Sequence, residues 1–493
     1  GQRNGWGRRA IYAVGLMSKR YWLETLGCPK NQVDSDKLEG TLLAAGYEAA
    51  PGPGEAELVV VNTCAFIEDA RAESIEAVLG LSEDRAEGAE LVVTGCLAER
   101  AGAELAEAIP EIDRVAPFGA DLLGRFSDPL AGDAQGAGSV GSNGSATVAV
   151  TLGPSRLGGT SNGAVVPDMD LLELPRPPSS SPWAYVKIAE GCDRACGFCA
   201  IPSFRGPQRS RTIESIVAEV AGLVGSNPRA ARGGSDEVEA LGHNANSARE
   251  IVLVAQDLAA YGRDQGVGER AIIPLVQAVA ERVDWVRLLY LYPSDLTEAL
   301  IETVLATGVP YFDLSLQHTS RPVLRRMRRW GDGDAFLERI ERIRSAEPAA
   351  VFRSNFLIGY PGETEEDHDD LLAFIEAAQV DWCGLFKFSR EDGTYADSLP
   401  DQVAPELVAE RHAEAAELAE AITAQRRLDR VGSTVEVLID APGVGRSTGE
   451  APEIDGIISV PAHLPVGSMA MVRIVDAEGP DLEALPLSDH AAE

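Results

Sequence analysis

Three cysteines within eight residues carry the strongest chemical signal in the sequence. Cys192, Cys196 and Cys199 have the spacing C-x3-C-x2-C, with no histidine nearby and no fourth cysteine close behind. Because a closed zinc site takes four protein ligands, zinc is a poor fit to this central cysteine set. Three thiolates in one short loop can instead hold three irons of a cubane iron–sulfur cluster and leave the fourth iron open to a small molecule. The alternative is three buried structural cysteines, since free cysteine is often buried.

Three further cysteines, Cys28, Cys64 and Cys96, each follow a short apolar run and precede a helical pattern. Such alternation predicts a parallel α/β sheet, whose strands all end at one edge, where ligands bind. A helix N-terminus also stabilises a thiolate. We therefore expect this N-terminal cysteine set to converge on one point. The predicted strands are Tyr21–Leu26, Leu58–Asn62 and Leu91–Thr94.

Composition bounds the class of protein. A chain of 493 residues predicts about three domains, and seven cysteines are too few for a disulfide scaffold. No signal peptide is evident and no apolar run approaches 18 residues, so we expect a cytoplasmic protein without a membrane span. The formal net charge of −34 opposes nonspecific binding to nucleic acid and favours a basic protein partner, the alternative being that the acidity only reflects the proteome of the source organism.

The middle of the chain repeats a strand–helix pattern that predicts a partial (β/α)6 barrel. Active groups should lie at the carboxyl ends of its strands. Polar residues do occur there, at the central cysteine set, at Gln256-Asp257 and at Gln317-His318. The six predicted strands are Ala184–Ile188, Ile251–Ala255, Val286–Leu291, Tyr311–Leu316, Phe352–Ile358 and Gly384–Phe388.

The motifs around both cysteine sets resemble those of the methylthiotransferase family of radical S-adenosylmethionine (SAM) enzymes. The loop Cys192–Cys199 is similar to the cluster loop of that superfamily, and Leu26–Asn31, Asn62–Cys64 and Thr94–Cys96 are similar to the family's N-terminal domain. The resemblance implies two [4Fe–4S] clusters. One, on the central set, cleaves SAM to a 5′-deoxyadenosyl radical. The other, auxiliary cluster, on the N-terminal set, carries the sulfur to be inserted.

The SAM pocket is assigned by this resemblance alone. It implies that Gln256 and Asp257 meet the amino group of SAM and that Phe198 flanks the adenine. It places four more residues near ribose and adenine, namely Gln317, His318, Ile358 and Gly359. Ordinary strand-end packing and hydrogen bonding remain an alternative for each of these residues.

The C-terminal region resembles the TRAM module, a small all-β, OB-like barrel that usually binds RNA. RNA binding favours a basic face with aromatic side chains. Here Arg446 and Arg473 are outnumbered by acidic residues, and the module has no aromatic residue. This departure predicts a basic protein partner rather than tRNA. Between residues 431 and 476, where Arg446 and Arg473 are the basic residues, the acidic residues are Glu436, Asp440, Glu450, Glu453, Asp455 and Asp476.

The family has two branches, which differ in substrate. One methylthiolates an adenosine beside the tRNA anticodon, and the other methylthiolates the β-carbon of an aspartate in small-subunit ribosomal protein S twelve. Gly27–Asn31 and Cys199–Gly206 resemble the second branch. We therefore predict the aspartate reaction, with a low-potential electron donor of the flavodoxin or ferredoxin type. The alternatives are the tRNA reaction and a non-catalytic iron–sulfur protein that binds RNA.

The predicted organisation places the methylthiotransferase N-terminal domain, the radical SAM domain and the TRAM domain in this order. Gly-rich and Ser-rich stretches predict a flexible linker and a surface insertion. The predicted boundaries are 1–18 for an N-terminal extension, with Met17 a candidate start, 19–125 for the first domain, 126–181 for the linker, 182–428 for the radical SAM domain with an insertion near 225–249, 429–480 for TRAM and 481–493 for an acidic tail.

Overall fold

The computed structural model describes residues 19–118, 120, 160–161, 164–165, 170–225, 247–266 and 271–487. The predicted N-terminal extension, most of the predicted linker and insertion, and the end of the predicted acidic tail lie outside the described residues. Within the described part, no helix is long and apolar enough to cross a membrane.

The first domain is a parallel sheet flanked by helices, with strand order β2-β1-β3-β4-β5. Val59, Val60 and Val61 are fully buried, as expected for a parallel strand covered on both faces. The three predicted strands are present here. The elements are β1 (Arg20–Thr25), α1 (Pro29–Ala44), β2 (Glu48–Ala49), β3 (Leu58–Thr63), α2 (Glu68–Asp84), β4 (Glu90–Gly95), α3 (Cys96–Ala108) and β5 (Arg114–Ala116).

The short strands β6 (Thr160–Ser161) and β7 (Ala164–Val165) pair with each other before the central domain. The central domain then contains all six predicted strands, as two parallel three-stranded sheets that a bridge between Leu291 and Leu314 joins into an open barrel. The six strands are β8 (Trp183–Lys187), β11 (Glu250–Val254), β12 (Trp285–Leu288), β13 (Tyr311–Gln317), β14 (Val351–Ile358) and β15 (Trp382–Lys387).

Helices cover the outside of this barrel, and their apolar faces pack with the barrel strands in the largest buried cluster of the described residues. A short antiparallel pair of strands, β9 (Ala189–Glu190) and β10 (Arg209–Ser210), lies near the central cysteine set. The helices are α4 (Ile201–Arg205), α5 (Ile213–Val224), α6 (Ile272–Ala280), α7 (Glu298–Ala306), α8 (Arg321–Arg326), α9 (Gly333–Ala346), α10 (Glu365–Ala378) and α11 (Pro405–Leu428).

The C-terminal domain is a closed five-stranded barrel with the order β16-β17-β18-β20-β19. The predicted acidic tail is wrong for its first six residues. They form a barrel strand because Leu482 and Ala484 point into the core while Glu483 faces solvent. The strands are β16 (Thr434–Ala441), β17 (Val444–Arg446), β18 (Ile458–Ser459), β19 (Met469–Glu478) and β20 (Asp481–Pro486).

The first domain contacts both edges of the open barrel. On one side Asp34 of α1 forms an ion pair with Lys187, the last residue of β8. On the other side Arg71 of α2 and Arg100 of α3 both bind Glu391, which follows β15. The carboxyl edge of the first sheet is thereby held at the open mouth of the barrel.

Candidate active site

The N-terminal cysteine set converges as the sheet topology predicts. Cys28 precedes α1, Cys64 follows β3, and Cys96 begins α3. Gly27 has φ of +95°, and a Cβ there would lie 2.9 Å from the Cys64 sulfur, so only glycine allows this close approach. Charge on Cys28 raises the pKa of both other thiols, although burial raises them more.

Asn31 ties the three cysteine loops together. Its Nδ2 donates to the carbonyl oxygens of Leu26 at 2.9 Å and Thr63 at 3.0 Å, and its Oδ1 lies 3.6 Å from the Cys96 sulfur. Asn62 donates in turn to the carbonyl oxygen of Asn31 at 2.9 Å. Because these bonds are buried, they fix the relative positions of the loops that carry the thiols.

The electrostatic surroundings differ among the three thiols. Burial favours the neutral Cys28 thiol, but the Lys30 ammonium, the backbone N–H groups of Asn31 and Lys30, and Arg205 outweigh it and lower the pKa of Cys28. Burial raises the pKa of Cys64 to about 12. Burial also raises the pKa of Cys96, against the opposing effect of Arg205. Cys28 is therefore the member of the set most easily ionised.

The central cysteine set lies in the loop between β9 and α4. Gly191 has φ of +79°, and a Cβ there would lie 2.2 Å from the carbonyl oxygen of Pro207, so the loop requires glycine at its start. The backbone N–H of Arg194 donates to the Cys192 sulfur at 3.4 Å, and Arg329 Nη1 donates to the Cys196 sulfur at 3.3 Å. Burial raises the pKa of Cys192 to about 11.

Neither set is arranged around a single ion. Among the described residues no group of three or more histidine, cysteine, aspartate or glutamate side chains converges closely enough to hold one metal. A cubane cluster takes its thiolates at separate iron corners, so it needs thiols spread around a larger volume. Three thiols with N–H donors and arginines around them fit such a cluster, because those donors stabilise cluster sulfur and thiolate charge.

Gln256 and Asp257 lie beside the central set. Gln256 Nε2 donates to Glu190 at 2.7 Å, and Asp257 forms an ion pair with Arg194 at 2.5 Å. One oxygen of each side chain, Gln256 Oε1 and Asp257 Oδ1, is buried without a hydrogen-bond partner. Buried polar atoms are normally satisfied, so these two oxygens are suited to a polar ligand such as an ammonium group.

The other five predicted pocket residues fall into two groups. Polar contacts or backbone strain distinguish Gln317, His318 and Gly359, whereas Ile358 and Phe198 make apolar packing contacts. Gln317 has φ of +72°, a strained conformation for a residue other than glycine, at the carboxyl end of β13. Glu363 accepts from the Gly359 N–H at 2.8 Å and lies 3.7 Å from Nε2 of the fully buried His318.

The side chain of Ile358 belongs to the central core, and Phe198 packs against that core. The structure thus gives the Ile358 and Phe198 side chains packing contacts, whereas Gln256, Asp257 and Gln317 lie at the mouth of the barrel.

Arg205 is the residue that sequence analysis missed. Its Nη2 donates to the Cys96 sulfur at 3.0 Å and to Asn31 Oδ1 at 2.7 Å. Its Nη1 binds both Asp34 and Glu190 at 3.0 Å, and Glu190 directly precedes the central loop. Arg205 therefore connects the two cysteine sets. An arginine six residues after Cys199, within a motif that already resembled the family, was the available signal.

Comparison with known proteins matches a different family model to each of the three domains. Residues 20–117 match the uncharacterized protein family UPF0004, residues 186–375 the radical SAM superfamily, and residues 431–486 the TRAM domain. The ribosomal protein uS12 methylthiotransferase RimO of Moorella thermoacetica is 41% identical over 91% of this chain and 95% of its own length. The protein of that name from Streptomyces coelicolor is 39% identical over 95% and 97%.

The chain belongs to the RimO family of methylthiotransferases. It is a radical SAM enzyme, and the predicted family and fold class are confirmed. Membership of the radical SAM superfamily implies a [4Fe–4S] cluster and SAM as cofactors. Among solved structures, the radical SAM methyltransferase TsrM from Kitasatospora setae is 16% identical with a TM-score of 0.47, covering 77% of this chain and 74% of its own.

Proposed function

We propose that this enzyme methylthiolates the β-carbon of an aspartate in ribosomal protein uS12 and that it uses two [4Fe–4S] clusters. Cys192, Cys196 and Cys199 would hold one cluster, and Cys28, Cys64 and Cys96 the other. The observation that carries this proposal is the connection between the two thiol sets through one buried guanidinium, that of Arg205. Two such sites in one network suit a reaction that couples radical formation to sulfur insertion.

When bound, SAM and the central cluster would supply a radical able to take hydrogen from carbon, and the second cluster would carry the sulfur. The chain's own residues bind and orient. Gln256 and Asp257 each offer a buried oxygen toward a ligand at the central set, and Gln317 is held there in a strained conformation. Burial of Cys64, Cys96 and Cys192 also limits the access of water to the site.

The partner assignment rests on charge as well as on the family. The net charge of −34 favours a basic protein over tRNA, because phosphates and acidic side chains repel each other. A low-potential electron donor, such as a flavodoxin or ferredoxin, would provide the electron for SAM cleavage. Since the proposed substrate is a ribosomal protein, the proposed location is the cytoplasm.

The number of clusters is tested by iron content. Two clusters correspond to about eight irons per chain after anaerobic reconstitution. Replacing the three central cysteines by alanine should halve the iron and abolish formation of 5′-deoxyadenosine. Replacing the three N-terminal cysteines should also halve the iron, yet leave SAM cleavage in place. Cys383→Ala is the control that should keep all the iron, and four irons in the reconstituted wild type would contradict the proposal.

The substrate is tested by mass spectrometry of competing acceptors. Purified uS12, small ribosomal subunits and tRNA should be incubated separately with the reduced enzyme and SAM. We expect the mass of one SCH3 group on the target aspartate of uS12 and none on tRNA. A thiomethyl group on tRNA alone would assign the enzyme to the adenosine reaction. Absence of 5′-deoxyadenosine from every mixture would instead favour a non-catalytic protein.

A further inference from the structure

Lys30 is a buried lysine at the boundary between the first domain and the barrel. It is only 9% exposed, and its ammonium nitrogen lies 3.3 Å from the centre of the Tyr290 ring. Across the residues that the structure describes, no aspartate or glutamate oxygen forms an ion pair or hydrogen bond with this ammonium. The Cys28 thiolate and the aromatic ring offset part of the cost of burying this charge, yet among the described residues the ammonium N–H groups have no hydrogen-bond acceptor.

The neighbouring cations differ from Lys30 in this respect. Arg205 binds Asp34 and Glu190, Lys187 binds the same two carboxylates, Arg194 binds Asp257 and Asp295, and Arg353 binds Asp313. Each of these cations therefore already has a carboxylate partner within the protein. Among the described residues beside the cysteine sets, Arg329 also lacks an acidic partner, but it donates to the Cys196 sulfur and to the Ser315 carbonyl oxygen. The Lys30 ammonium has no such acceptor there and therefore remains able to bind an incoming anion.

The position of Lys30 suits a substrate that lies between the two cysteine sets. Lys30 follows Cys28 by two residues, whereas Tyr290 follows β12 at the carboxyl end of the barrel. Tyr290 has φ of +67°, and its N–H donates to Asp313 Oδ2 at 2.9 Å. An aromatic residue in this conformation is strained, and such strain persists where the surrounding structure holds a residue for a functional purpose. The ring thus forms a fixed platform under the ammonium.

We propose that Lys30 binds the side-chain carboxylate of the substrate aspartate. This inference rests on the proposed function. The reacting β-carbon is bonded directly to the carboxylate carbon, so an ion pair with Lys30 fixes the β-carbon beside the N-terminal cysteine set. The same contact provides specificity. An asparagine in place of the aspartate has no charge to pair with the ammonium, so binding it leaves the Lys30 N–H groups without an anionic acceptor.

Equilibrium binding tests this role without turnover. The full chain, reconstituted with iron and sulfide and kept without reductant, is titrated with fluorescently labelled uS12 and with uS12 whose target aspartate is asparagine. We expect the wild type to bind the aspartate form roughly 10- to 100-fold more tightly. Lys30→Met should remove most of this preference by weakening the aspartate form alone, and Lys30→Arg should retain part of it.

Two controls separate substrate binding from other roles of the lysine. Lys19→Met removes another lysine that lies over a tyrosine ring, 5.9 Å from the centre of Tyr47, and should leave the preference unchanged. The iron content of each variant shows whether both clusters are held. If Lys30→Met loses iron, Lys30→Gln, which keeps a polar group of similar length, replaces it in the comparison.

The outcomes are distinct. An unchanged preference for aspartate in the Lys30 variants would overturn the inference. A shifted reduction potential of the auxiliary cluster with unchanged binding would also overturn it, because Lys30 would then serve the cluster. If the wild type binds both forms of uS12 equally but still modifies the aspartate form, only the Lys30 inference fails. If the wild type modifies no uS12, the proposed function fails as well.

Discussion

At the residue scale, the two cysteine sets depend on one another through buried charges. Arg205 shares its guanidinium among the Cys96 sulfur, Asp34 and Glu190, and Glu190 also accepts from Gln256. Burial disfavours the charged form of Arg205, but these anions outweigh it and raise the pKa of the guanidinium. Removing Arg205 would leave Lys187 as the one described cation paired with both Asp34 and Glu190, so two buried carboxylates would share a single positive charge.

Arg205→Met should therefore weaken the cluster proposed on the N-terminal cysteine set. We expect faster loss of iron to a chelator and a more negative reduction potential, because the variant lacks a positive charge and a hydrogen bond at the Cys96 sulfur. The rate of iron loss and the reduction potential should both be measured in a variant whose three central cysteines are alanine, so that only one cluster contributes to the signal. Arg209→Met is the matched control, since Arg209 binds Asp170. Equal potentials in both variants would contradict this role.

At the element scale, the loop 447–455 of the C-terminal barrel closes the amino-terminal end of the central barrel. Glu450 is fully buried and forms an ion pair with Arg427 of α11, while Trp382 Nε1 donates to the Gly449 carbonyl oxygen at 2.8 Å. Arg446 is buried as well, bound to Glu250 at 2.7 Å. The prediction that the acidic residues of this module attract a partner is therefore wrong for Glu450, whose side chain is buried against the radical SAM domain.

Glu450→Gln should loosen the docking of the C-terminal barrel. The variant leaves Arg427 charged and buried, and breaking a buried ion pair in this way costs about 3–5 kcal/mol. We expect a lower midpoint of thermal unfolding and faster proteolytic release of the C-terminal domain. Glu478→Gln, at an exposed position of the same barrel, is the control and should change neither. Unaltered proteolysis of Glu450→Gln would show that other contacts hold the domain.

Asp455 makes this interface sensitive to pH. Burial raises the pKa of Asp455 to about 6, against the lowering effects of Arg353, Tyr311 and the Ala451 N–H. A raised folded-state pKa stabilises the fold below the unfolded value, near 4, and this contribution is lost as the pH rises to 6. The stability of wild type relative to Asp455→Asn should therefore fall over this range, by at most about 3 kcal/mol. Unfolding midpoints at pH 4.5 and 7 measure it, and a constant difference would contradict the raised pKa.

At the scale of the whole molecule, net charge should govern encounter with a basic partner. The chain has 77 acidic and 43 basic residues. Among the exposed acidic residues of the C-terminal barrel are Asp476, Glu478 and Glu483. Attraction between exposed charges raises the association rate and is screened by salt.

Reversing Asp476, Glu478 and Glu483 to lysine should slow association with uS12, most clearly at low salt. The same change in charge at Glu104, Glu107 and Glu111, which are exposed on the first domain, is the matched control. Stopped-flow association rates across a salt series distinguish the two variants. Equal slowing in both would mean that total charge, rather than the C-terminal barrel, directs the encounter.

The order of the domains and the location of the chemistry could be predicted from the sequence, because both depend on local patterns. Cys192, Cys196 and Cys199 are close along the chain, so their spacing alone indicates a shared site. Cys28, Cys64 and Cys96 are far apart, but each lies between a strand and a helix, and a parallel sheet brings such positions to one edge. Hydrophobic alternation likewise placed the six barrel strands within a few residues.

The tertiary structure alone decided which charges pair and which face solvent. Arg205 meets the Cys96 sulfur across 109 positions of the chain, and Lys30 meets Tyr290 across two domains. Likewise, Glu450 and Glu453 are both acidic residues of one loop, yet the first is buried against Arg427 and the second is exposed. Burial and partnership depend on how elements pack, and no local pattern encodes packing between elements that are distant along the chain.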